Sequence, residues 1–72
     1  MDILAVLKDL KDDVDFENAK DFVEEGLLDS FDIVNLVGAL EDELDIEISG
    51  RDTIPDHFVS VEAIENMLEK YR

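Results

Sequence analysis

The stretch that decides the fold is Gly26–Ile48, GLLDSFDIVNLVGALEDELDIEI. It opens on a glycine, places Asp29 and Ser30 side by side, and continues as the longest helical pattern in the chain. Ile33, Leu36, Val37, Leu40 and Leu44 recur at helical spacing and define one apolar face. Asp29 and Ser30 are both N-cap residue types, and Asp32 adds negative charge to the first turn, where the helix dipole favours it. The spacing predicts a helix from Ser30 to Leu44. Phe31, Val34 and Gly38 form a second line beside the apolar face. Gly38 costs roughly 1 kcal/mol relative to alanine in mid-helix, which suggests close approach by another group or a neutral replacement.

The same periodicity appears before and after this stretch. Asp2 is a plausible N-cap, and Ile3, Val6, Leu7, Leu10 and Val14 share one face, predicting a first helix over Ile3–Asp13. Lys8, Asp9, Lys11, Asp12 and Asp13 would then face water. Two matching stripes predict mutual packing. Asp15–Glu25 reads as a loop, or a loop with one helical turn, pinned by Phe16, Ala19, Phe22 and Val23. Gly26 supplies the freedom for a turn. Asp45–Ile48 alternates like a short extended segment. Pro55 suits the start of a brief helix over Pro55–Phe58. Ser60 caps a last helix over Val61–Tyr71 through Val61, Ile64, Leu68 and Tyr71, with Lys70 and Arg72 well placed at its C-terminal end. The expectation is one all-α unit over residues 1–72: a small bundle of three main helices and one short one.

Composition narrows the function. The 72 residues include 21 acids, 6 bases and no cysteine, for a net charge of −15. By segment the charge is −6 over residues 1–28, −7 over 29–48 and −2 over 49–72. That sign opposes nucleic acid and anionic membranes and favours basic protein partners. No disulfide, thiolate metal site or native thiol nucleophile can form. No apolar run is long enough to span a bilayer, and no basic region precedes an apolar stretch at the N-terminus. A monomer in the cytoplasm is the expectation.

Two kinds of chemistry are weak. A serine hydrolase needs a histidine base and an orienting acid. The one histidine is His57, and the G-x-S-x-G elbow is absent. His57 reads as a surface or loop-packing residue. From Asp13, the run DVDFENAKDFVE puts Asp13, Asp15, Glu17, Asp21 and Glu24 at ligand positions of an EF-hand loop. Asn18 stands where that loop needs glycine, and no second loop pairs with it, so a solvated acidic loop is the simpler reading.

Ser30 is the sharper candidate. A phosphate ester on a serine at a helix N-terminus would meet free backbone N–H groups and the positive end of the dipole. Capping chemistry alone assigns Ser30 only a capping role. The string around it adds more. Gly26-Leu27-Leu28-Asp29-Ser30-Phe31-Asp32 resembles the attachment motif of the acyl carrier protein family. The likeness continues through Val34, Leu36, Val37, Ala39-Leu40-Glu41 and Leu44 to Ile48, and more weakly at Phe58 and Ser60–Ile64.

The resemblance implies a non-catalytic four-helix carrier. Ser30 matches the serine to which a phosphopantetheinyl transferase attaches 4′-phosphopantetheine from coenzyme A. The arm's thiol holds acyl, aminoacyl or polyketide units as thioesters, for instance in fatty-acid biosynthesis. Asp29 matches the acid beside that serine. Asp32, Glu41 and Asp42 match acids that meet basic patches on loading and processing enzymes. Phe31, Val34 and Gly38 match positions that contact partners or border the cargo pocket. Phe31 departs from the usual leucine or methionine, Asn35 from a glutamate and Gly38 from a larger residue, and the first loop is shorter than in typical fatty-acid carriers. These departures keep a D-alanyl or other specialised carrier in view. The alternative of another class is an acidic module that binds divalent ions or proteins.

Crowded acids repel, so added sodium chloride or divalent cations should raise the melting temperature at neutral pH. A fall on adding salt would contradict this electrostatic account.

Overall fold

Three α-helices form where the apolar periodicity is strongest: α1 over Ile3–Leu10, α2 over Ser30–Leu44 and α3 over Val61–Leu68. The computed structural model describes residues 2–71 and contains no strand among them. The expected short helix is present as a 3-10 turn over Pro55–Phe58, and another 3-10 turn covers Gly50–Asp52. α1 packs on α2 and α3, and the Pro55–Phe58 turn packs on α2 and α3. The all-α bundle anticipated from periodicity is therefore the observed architecture, with its short member tighter than an α-helix.

The stripes meet as their spacing requires. Ile33, Leu36, Val37 and Leu40 of α2 are buried in one core with Ile3 and Leu7 of α1 and Ile64 and Leu68 of α3. The long first connection adds its own core residues. Phe16 and Phe22 are each 2% exposed and meet edge-to-face, with ring centroids 5.2 Å apart, an arrangement that aromatic quadrupoles favour. One helical turn forms there, closed by Glu25 N–H donating to Asp21 O at 3.0 Å. Gly26 then turns the chain at φ +77°. Phe22 O accepts from the N–H groups of both Leu27 and Leu28, so the aromatic anchor also sets the approach to α2.

Several boundaries differ from the periodicity. α1 stops at Leu10 rather than Asp13, because Lys11 leaves helical geometry (φ −140°, ψ 85°). Asp12 and Asp13 would have lain at the negative end of the dipole, where carboxylates are unfavourable. Val14 still packs on the core, from the turn. Lys11, expected to face water, is turned inward. The last helix becomes 3-10 over Glu69–Tyr71, and Arg72 lies outside the described residues. Asp45–Ile48 forms no strand: Asp45 closes α2 in the left-handed region at φ 54°, and Ile48 enters the core without a partner strand.

Gly38 has no close neighbour. A Cβ built there meets nothing within 4 Å, so nothing approaches its backbone. Gly38→Ala should therefore stabilise the fold by about 1 kcal/mol, a rise in melting temperature of about 4–8 °C for a chain of this size. Thermal denaturation checks this, and a lower melting temperature would contradict it.

Candidate functional site

The start of α2 is built by side chains that fix the turn without using the serine. Asp29 is the N-cap (φ −102°, ψ −175°). Its Oδ1 accepts from Asp32 N–H at 2.9 Å, and Asp32 Oδ2 accepts from Asp29 N–H at 3.3 Å. This reciprocal capping box answers what two adjacent cap-type residues left open. Ser30 is the first helical residue and is exposed. Its hydroxyl has no part in the box, so the side chain is free for chemistry. The N–H groups of Ser30 and Phe31 also lie outside the box, at the positive end of the dipole.

Lys11, the residue after α1, closes the arrangement. Its ammonium donates to Asp32 Oδ2 at 2.9 Å and to Leu27 O at 3.0 Å. The hydrogen bond to Asp32 holds the Lys11 pKa above its ordinary value. The same bond holds the Asp32 carboxyl below its ordinary value, helped by Asp29 N–H. Hydrogen bonding and an opposite charge both favour the ionised forms here.

The expected docking residues fall into two groups. Phe31 is 72% exposed and Val34 60%, and Asn35 and Asp42 are also exposed. With half-buried Gly38 they share the face of α2 turned away from the core. Asp32 and Glu41 are more engaged. Asp32 is committed to the cap and to Lys11, and Glu41 Oε2 accepts from Ile48 N–H at 2.9 Å. Their carboxylates fasten the two ends of α2. Ile54, which the sequence did not single out, is 39% exposed beside the Pro55–Phe58 turn.

The EF-hand register is not assembled. Asp15 accepts from the side chain of Asn18 at 2.7 Å, Glu17 pairs with Lys8, and Asp21 Oδ1 caps the N–H groups of Val23 and Glu24. No cluster of His, Cys, Asp or Glu among the described residues could hold a metal ion, so Asp13, Asp15, Glu17, Asp21 and Glu24 do not converge.

A buried carboxylate escaped the sequence reading. Asp52, 5% exposed, accepts from Lys70 Nζ at 2.7 Å and from the Tyr71 hydroxyl. Those bonds hold its pKa below the ordinary value. His57 Nδ1 lies 2.9 Å from Asp52 O, which makes His57 a loop-packing residue. Lys70 thus serves Asp52 as well as the end of the last helix.

The Asp32 shift has a testable sign. A carboxyl whose pKa is lower in the folded state contributes stability that is complete above its unfolded pKa and lost as pH falls through the folded one. Asp32→Asn should lower the melting temperature at pH 7, and the deficit should shrink as pH drops below the ordinary aspartate range. A deficit that stays constant from pH 7 to pH 2.5 would contradict the assignment.

The family model described as phosphopantetheine attachment site matches residues 2–68. No curated protein and no solved structure matches the chain. The helical fold agrees with the family, whose members receive 4′-phosphopantetheine covalently and interact with the transferase that attaches it. With nearly its whole length matched, the chain belongs to the phosphopantetheine-attachment family of carrier domains.

Proposed function

We propose that residues 1–72 form a single carrier domain, without catalytic activity of its own, whose arm is attached at Ser30. The observation that carries this reading is the division of labour at the start of α2. Asp29 and Asp32 supply the cap, leaving an exposed serine hydroxyl at a helix N-terminus. In the modification, Ser30 Oγ bonds to the phosphorus that bears the pantetheine in coenzyme A. The pyrophosphate P–O bond breaks, adenosine 3′,5′-bisphosphate leaves, and the hydroxyl proton passes to a base of the transferase. The phosphodiester so formed sits where the dipole favours an anion.

The arm supplies a thiol that carries acyl or aminoacyl units as thioesters, which suits a chain without cysteine. Tethering raises the effective concentration of cargo at each enzyme visited. Phe31, Val34, Asn35, Gly38 and Asp42 form the proposed docking face, with Asp32 and Glu41 contributing charge at its edges. A partner with a basic patch would be steered by the −15 net charge and released readily. Fatty-acid or polyketide assembly is the leading setting, and D-alanyl or other aminoacyl transfer the alternative. The cytoplasm, where coenzyme A is at hand, is the compartment this reading implies. No helix among the described residues is long and apolar enough to cross a membrane.

The test is intact mass after incubation with coenzyme A and a promiscuous phosphopantetheinyl transferase. Wild type should gain one phosphopantetheine and Ser30→Ala none. Wild type left unmodified, or an equal gain on Ser30→Ala, would defeat the assignment.

A further inference from the structure

We propose that Lys11 is the positioning residue for modification of Ser30: it clamps both ends of the segment that presents the hydroxyl and offsets part of the Asp32 charge near an incoming phosphate. The inference rests on Ser30 being the attachment point and goes beyond it by assigning a role to the residue that ends α1.

The clamp is geometric. One ammonium donates to Leu27 O at 3.0 Å and to Asp32 Oδ2 at 2.9 Å, so a single group from the end of α1 holds a segment of six residues at its two ends. Asp32 Oδ2 is also the oxygen that accepts from Asp29 N–H. Lys11 therefore holds the carboxylate in the rotamer that closes the capping box, and the box fixes Ser30 as the first helical residue. The side chains of Lys11 and Asp32 are only 30% and 17% exposed, which weakens the screening of this pair by salt.

The second part is charge. Gly26–Ile48 contains no base. Coenzyme A must bring its anionic pyrophosphate to a serine flanked by Asp29 and Asp32. Among the described residues, Lys11 is the cation whose ammonium contacts this segment. Lys8, one turn earlier on α1, is occupied by Glu17 on an exposed surface. Lys11 makes and breaks no bond in the transfer, so its effect is exerted through Asp32 and the turn.

The experiment compares Lys11→Met, Lys11→Arg and Lys8→Met as substrates of the same transferase with coenzyme A, at low and high sodium chloride and below each variant's melting temperature. Lys8→Met removes the same charge from the neighbouring turn of α1 and controls for net charge. Lys11→Met should lose about tenfold in kcat at low salt, as a reactant held slightly out of place does. KM for the carrier should change little, because the outer face of α2 is untouched. Lys11→Arg should restore most of the rate, Lys8→Met should match wild type, and salt should narrow the deficit. If Lys11→Met does not fold, the comparison is made in an Asp45→Gly background, where glycine relieves the left-handed end of α2. A wild-type rate for folded Lys11→Met, or an equal loss in Lys8→Met, overturns the inference while leaving the Ser30 reading intact. Wild type left unmodified, or modified Ser30→Ala, instead overturns the Ser30 reading and this inference with it.

Discussion

Twenty-one carboxylates share 72 residues with only six lysines and arginines, and the fold depends on how that imbalance is met. Part of the answer is the backbone. Asp2, Asp21, Glu25, Asp29, Asp32 and Glu41 all accept hydrogen bonds from main-chain N–H groups. An N–H that would otherwise be an orphan at a helix start or turn is satisfied by a charge that needs a partner. The scarce ammonium groups go where the backbone alone does not suffice. Lys11 joins α1 to the start of α2, and Lys70 reaches the buried Asp52. Acidity and structure are thus not separate features: many of the acids are caps.

That arrangement explains why one serine remains uncommitted. A helix start with one polar residue would have to use it as the cap. Here Asp29 and Asp32 cap each other, the apolar side of the turn is anchored by buried Leu28, and Ser30 is left exposed at a fixed place. The anchoring reaches back through Phe22, whose carbonyl receives Leu27 and Leu28 while its ring meets Phe16. The long first connection therefore acts as a bracket for the site.

The parts legible in the sequence were those governed by local rules. The bounds of α2 follow from cap residues at one end and a broken stripe at the other, and Ser30–Leu44 is the helix observed. The pinning role of Phe16 and Phe22 was equally readable, since aromatics among acids have few other places to go. Illegible features were those decided by partners far away in the chain. Asp52 looks like any surface acid until Lys70 and Tyr71, 18 and 19 residues later, close on it. Lys11 lies on the polar side of the first helix expected from the spacing and was expected in water, yet its partners are 16 and 21 residues away. The EF-hand residues stand apart for the opposite reason. A ligand pattern is easily met by chance in so acidic a chain, while Asn18, Lys8 and nearby N–H groups satisfy those oxygens locally.

The outer face of α2 carries a cost that stability alone does not explain. Fully burying a side chain such as phenylalanine or valine is worth about 1.5–3 kcal/mol, and a chain of this size has only about 3–5 kcal/mol to spare. Phe31 and Val34 nevertheless stand 72% and 60% exposed, three residues apart on one helix face. On the proposed reading they supply apolar contact in the bound state, while Asp42 and the surrounding negative field bring a basic partner to the face. Charge then governs arrival, and a small apolar area limits how long the partner stays. A carrier that must leave each enzyme it visits is better served by that balance than by a larger apolar face, because more buried area would chiefly slow departure.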